Sequence, residues 1–218
     1  MTEQVAASSR AGSGGLRRGL AAAAILLVLA AAAWWVLFRD TRPSPGPLLN
    51  QERFGLSFSQ HPGDTFGYGA AITWNTGDEV AILKRVRLVN PTPGLEVVDT
   101  RVAGPQRELL SLAFTRTWPS EEYDDVHPVA GYRVAPDKTP EGERGVNLLF
   151  GLHTEKLGRY EAQAVAVEYT VGDVEHLSYV HGSMLICVIP ESQALDDDED
   201  CGMPSGMDKP LDDPLAND

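Results

Sequence analysis

The chain of 218 residues contains only two cysteines, Cys187 and Cys201, and only four lysines. It has no Walker loop, no dinucleotide fingerprint, no G-x-S-x-G elbow and no zinc-ligand spacing. Five histidines, His61, His127, His153, His176 and His181, are scattered without an H-x-x-x-H pair. Those gaps remove the nucleotide-binding, common hydrolase and zinc-enzyme classes that short motifs can identify. His181, Met184 and Cys187 are copper-friendly residues, but their order does not match a cupredoxin, in which Cys precedes His and Met. No cofactor is expected. The region beyond the N-terminal apolar run has no basic stripe either, so neither a nucleic-acid partner nor adhesion to an anionic membrane surface is expected.

Charge is unevenly spread. The net charge is −13, and the stretch from Glu191 to Asp218 holds ten acids against Lys209 alone, hence −9 of that total. Residues 196–200, DDDED, repel one another, so 191–218 is expected to be an acidic disordered tail.

The longest apolar run lies near the N-terminus. Gly19–Phe38 contains no charged or strongly polar side chain over 20 residues. At about 1.5 Å per residue, such a helix spans roughly 30 Å, the hydrocarbon thickness of a bilayer. Trp34 and Trp35 sit at its far end, where amphipathic rings favour the headgroup level. Ala31-Ala32-Ala33 offers a leader-cleavage site, and Arg17-Arg18 resembles a twin-arginine pair. The apolar run nevertheless continues past that site through WWVLF, which favours a retained anchor over a cleaved leader. Residues 1–18 then form a disordered cytoplasmic tail, 19–38 a single transmembrane helix, and 39–53 a Pro-rich stalk. The remainder is expected outside the cytoplasm.

Beyond the stalk, residues 54–190 read as one β-domain. Short alternating stretches are bounded by turn residues: 66–74, 79–89, 95–103, 108–114, 146–152, 159–171 and 174–189, with a short strand ending at 132–134. In 79–89, Ile82, Val86 and Leu88 share one parity, and Arg85 and Arg87 take the other. VNLLFGL at 146–152 is apolar enough to be buried on both faces. Gly172-Asp173 marks a hairpin turn and Gly182 a kink. Seven or eight strands without helices between them predict an all-β, antiparallel sandwich.

Leu157-Gly158-Arg159-Tyr160, placed just before EAQAVAVEYTV, resembles the tyrosine corner of immunoglobulin-like sandwiches. The strand pair AITWNTGDEVAILKRVRLV is similar to the second and third strands of bacterial Ig-like modules, with NTGD between them. Taken whole, the chain resembles small, externally displayed, single-pass membrane proteins of actinobacteria without assigned activity. The resemblance implies an Ig-like fold and a cell-membrane address, and no site.

Site candidates are therefore few. Glu121, Glu122, Asp124 and Asp125 gather oxygen ligands on one loop and are weak candidates for a calcium site, since they lack the EF-hand spacing. Trp118 and Tyr123 in the same loop are candidates for an exposed contact surface. An even cysteine count outside the membrane favours a Cys187–Cys201 disulfide, the alternative being two unpaired thiols. The expected function is a non-enzymatic binding or structural module of the cell envelope, held in the membrane by 19–38, with an envelope protein or glycan as partner. The alternative is an envelope enzyme or metal-binding protein with an unfamiliar site.

Overall fold

A computed structural model of the chain describes residues 46–49, 54–104, 114–143 and 145–195. The expected tail at 1–18, the transmembrane helix at 19–38 and the acidic residues beyond 195 lie outside the described residues. The described residues contain strands and no helix, so none there is long and apolar enough to cross a membrane.

The strands form an all-β, sandwich-like fold of several largely antiparallel sheets. The first sheet runs β1 (Leu48–Leu49), β3 (Thr65–Asn75), β9 (Val146–His153), β5 (Glu96–Ala103) and β7 (Val126–Pro128), with β6 (Phe114–Thr115) also on β3. The second runs β12 (Val174–Val180), β11 (Ala164–Val171), β4 (Ala81–Val89) and β8 (Arg133–Val134). The third is β10 (Gly158–Ala162), β13 (Gly182–Val188) and β2 (Phe54–Gln60), with β2 parallel to β13. One long hairpin joins the last two sheets. Its arms bend at Gln163 and His181, so β10 leads into β11 and β12 into β13. Its tip is the Gly172-Asp173 turn, closed by the Val171–Val174 pair, with Gly172 at φ 56°.

One main core gathers side chains from all three sheets. Phe66, Tyr68, Leu148, Phe150 and Leu152 come from the first, Leu83, Val165, Val167 and Tyr169 from the second, and Met184 and Ile186 from the third, all without solvent exposure. Each such burial contributes about 1.5–3 kcal/mol relative to exposure. β9 is buried on both faces, as its apolar sequence predicts.

Three local expectations are corrected. Ile82 does not share the core side with Val86 and Leu88. Lys84 is an extra residue opposite the Glu168–Tyr169 step, and this bulge puts Ala81 and Leu83 inward while Lys84 and Arg85 both face out. The segments on either side of NTGD do not pair with each other: β3 belongs to the first sheet and β4 to the second. Asn75 makes the crossing. Its amide donates to the carbonyls of Glu79 (2.7 Å) and Val134 (2.9 Å), and its oxygen accepts from the Gly77 N–H (3.1 Å).

The third correction concerns the expected stalk. Gly46–Leu49 belongs to the domain. Leu48 is 3% exposed and packs in the main core. Its N–H donates to the Tyr169 hydroxyl (3.0 Å), and the Pro47 carbonyl accepts from the N–H and hydroxyl of Thr76. Gly46, at φ 59°, lies where a Cβ would meet the Tyr169 hydroxyl and the His176 ring at about 2.5 Å. Only glycine fits that approach.

Candidate binding site

The polar loop after β6 carries most of the sequence candidates, and its two aromatics turn inward. Gly67 of β3 and Gly151 of β9 are cross-strand partners. With no side chains there, the sheet offers a bare shelf, and the Trp118 indole lies on it. A Cβ on Gly151 would come within 2.4 Å of that ring. Tyr123 covers Gly69 in the same way and forms a small core with Ala103 and Leu149, with Trp118 packed against it. Tyr123 is 6% exposed. Burial pushes its hydroxyl pKa up to about 12, a Thr115 hydrogen bond pulls it down, and the Glu122 charge adds a smaller rise. Tyr123 is thus buried and offers no contact surface, while Trp118 is half-buried with one side against the glycine shelf. Trp74 is half-buried and lies against Gly145.

Glu121, Glu122, Asp124 and Asp125 are exposed. Among the described residues, no three acidic, histidine or cysteine side chains converge to hold a metal ion. The weak calcium assignment therefore has no geometric support.

Asp125 alone joins a concave feature. A cavity of about 330 Å³ opens between the β7–β8 connection and the loop leading to β9. Asp125, Tyr132, Arg133, Glu141, Gly142 and Gly145 are among its lining residues. Asp125 is held in the left-handed region at φ 52°, a conformation uncommon for a residue with a side chain. Its carbonyl accepts from the Gly104 N–H (3.2 Å), and its carboxylate meets His127 Nε2 at 2.8 Å. The His127 ring lies 5.5 Å from that of half-buried Tyr132. Burial raises the Tyr132 hydroxyl pKa, and the Asp125 charge adds to the rise. Below the cavity, the turn is tied by Thr139, whose hydroxyl donates to the Pro136 carbonyl (2.7 Å) and whose own carbonyl accepts from Gly142 and Glu143.

The cavity thus offers two carboxylates, one guanidinium and one aromatic ring with a hydroxyl. This set can hold a polar ligand. Among the described residues, no serine, threonine or cysteine lines it as a nucleophile. Sequence reading found Asp125 but missed Tyr132, Arg133 and Glu141. Tyr132-Arg133 and Glu141 lie in two stretches separated in sequence from Asp125, and only the fold brings them to one cavity.

The other candidates fall elsewhere. Cys187 is disulfide-bonded. The chain's other cysteine, Cys201, lies outside the described residues. Tyr160 donates its hydroxyl hydrogen bond back to the Lys156 carbonyl at 2.9 Å. His153 bridges Glu155 (2.9 Å) and the Asp64 carbonyl (3.2 Å), and His176 stacks on Tyr169.

What the fold and cavity define at this level is an all-β, sandwich-like domain with a cavity among its loops. No family model matches the chain, and no curated protein matches it. Among solved structures, it is similar to the Vibrio cholerae VesB protease, with TM-score 0.30 and 5% identity, over 71% of this chain and 34% of that one. It is also similar to the CooA pilin subunit from enterotoxigenic Escherichia coli, with TM-score 0.32 and 12% identity, over 66% of this chain and 98% of that one. The chain thus spans about a third of the protease's length.

Proposed function

We propose that this protein is a membrane-anchored, extracytoplasmic binding module of the cell envelope, with an Ig-like sandwich displayed beyond the single transmembrane segment 19–38. It binds a polar envelope ligand, a glycan or a protein, through the cavity at Asp125, Tyr132, Arg133 and Glu141. The observation that carries this reading is the disulfide at Cys187, since such bonds persist in oxidising compartments outside the cytoplasm. The 20-residue apolar run Gly19–Phe38 supports the anchor, and the Tyr160–Lys156 hydrogen bond is the one a tyrosine corner makes. The lining offers recognition groups: the carboxyls of Asp125 and Glu141, Arg133 and the Tyr132 ring. Fixing the protein on a surface raises its effective concentration toward partners on the same surface.

A photo-crosslinking residue placed at Glu141 in intact cells tests this reading, with Val174 at the hairpin tip as control. A discrete adduct at 141, lost in Asp125→Asn and absent at 174, is the expected result. Adducts of equal yield at both positions would remove the cavity from the account.

A further inference from the structure

Arg133 and Glu141 line one cavity, and among the described residues neither side chain has an ion-pair or hydrogen-bond partner. Elsewhere on the surface, Lys84, Arg85, Arg101, Lys138 and Arg159 each meet a carboxylate. The Tyr132 hydroxyl, near enough to Asp125 to feel its charge, makes no hydrogen bond among the described residues either. Asp125 is partly engaged, since its carboxylate already meets His127 at 2.8 Å. Glu141 is therefore the acid with most to offer a ligand.

The walls that carry these groups are fixed. Arg133 stands on β8, opposite Ile82. The segment before Glu141 is tied down at three points. The Asp137 N–H donates to the Asn75 carbonyl (2.7 Å), Lys138 pairs with Asp78 (2.7 Å), and the Gly142 N–H donates to the Thr139 carbonyl (3.0 Å). Asp125 packs on Gly104, where a Cβ would lie 2.5 Å from its carboxylate. Val134 and Val146, both members of the main core, add apolar lining with Ala135. Walls already in place keep the ordering cost of binding small.

The charges select among ligands. When a ligand fills the cavity, Asp125, Glu141 and Arg133 lose part of their water. A neutral sugar leaves both signs without a counter-charge in that drier site, which is unfavourable. A ligand with one ammonium and one carboxylate supplies a counter-charge to each, and a guanidinium fork matches a carboxylate. The volume of about 330 Å³ is at the small end for ligand pockets and suits roughly one or two amino-acid residues.

We propose that this cavity recognises an amino acid or short peptide as a zwitterion, with the ammonium at Glu141 and Asp125, the carboxylate at Arg133, and an apolar side chain against Val134, Ala135 and Val146. This ligand class rests on the reading of the cavity as a binding site, and takes its protein arm over its glycan arm.

Ligand-observed NMR titration of the full chain in detergent micelles tests it. The probes are leucine, the dipeptide leucyl-alanine, isoamylamine (no carboxylate), isocaproate (no amine) and N-acetylglucosamine. Leucine or the dipeptide should bind at least about tenfold more tightly than either single-charge probe. Which of the two binds better tells a free amino acid from a peptide as the source. Arg133→Gln should weaken the zwitterion about tenfold and leave isoamylamine unchanged, while Glu141→Gln should weaken both and spare isocaproate. Both side chains are exposed, so an unchanged melting temperature is expected in each variant. No binding of leucine or the dipeptide to the wild type overturns the proposal, as does equal weakening of every probe in either variant. N-acetylglucosamine binding that is lost in Asp125→Asn, without leucine or dipeptide binding, overturns the zwitterion but keeps the cavity as the binding site. If the crosslink at 141 fails as well, both readings fall.

Discussion

Gly67 and Gly151 face each other across β3 and β9, and the Trp118 indole rests on the gap that their missing side chains leave. Both glycines sit inside strands, where glycine has an entropic cost and no side chain to pack. The ring recovers that loss by covering bare backbone, the arrangement known as aromatic rescue. Gly151→Ala places a methyl group 2.4 Å from the ring, so the indole must leave. We expect a loss of about 1–3 kcal/mol in urea unfolding, with a red-shifted tryptophan emission. Unaltered emission and stability would mean that Trp118 does not rest there.

Asn75 makes a larger single contribution. It has no solvent exposure and makes three hydrogen bonds that hold the β3–β4 crossing and reach β8. Asn75→Ala strands the Val134 carbonyl in the interior and frees the turn. The expected cost is about 2–4 kcal/mol, measured as a shift of the urea midpoint at unchanged slope.

Asn147 behaves in the opposite sense. It is 1% exposed on β9, and its amide has no hydrogen-bond partner among the described residues. Its cross-strand neighbours are Ile72 and Ala103. A buried amide without partners costs about 1–3 kcal/mol, so Asn147→Leu, which keeps the branched shape with bulkier methyl groups, should stabilise the domain by about 1 kcal/mol. Calorimetry reads the sign directly, and a lower melting temperature would show that the amide is satisfied by water.

Stability should also respond to pH through His153. The Glu155 hydrogen bond raises its pKa, and the Asp64 carbonyl adds to this. The folded state therefore holds the proton more tightly than the unfolded chain. The resulting stabilisation is complete below the unfolded histidine value of about 6.5 and is lost as pH rises through the raised folded value. Glu155 is 73% exposed, so the effect should be at most about 1 kcal/mol. His153→Gln should remove that component of the pH dependence in thermal melts between mildly acidic and mildly alkaline buffers.

The alternating stretches carried much of the fold in advance. β9, the hairpin around Gly172-Asp173 and the inward set Val165, Val167 and Tyr169 lie where period-two reasoning placed them. Reading failed where the physics is not periodic. A bulge at Lys84 reverses parity without any residue that signals it. Gly46–Leu49 reads as stalk because its docking partners, Tyr169 and Thr76, are distant in sequence. Trp118 and Tyr123 sit among acids, which suggested exposure, but the glycines that receive them are on other strands. The cavity was legible only at Asp125, since its other walls come from separate short segments.

The proposed function requires the β-domain to stand outside the membrane on the 19–38 anchor. Protease shaving of intact cells, read by mass spectrometry, tests it most directly. Because Gly46–Leu49 is docked into the domain, cleavage should fall before Gly46. A folded fragment should be released with Cys187 still bonded, and the short N-terminal tail should stay with the cells. If no fragment appears until the cells are opened, the domain faces the cytoplasm and the envelope function is contradicted.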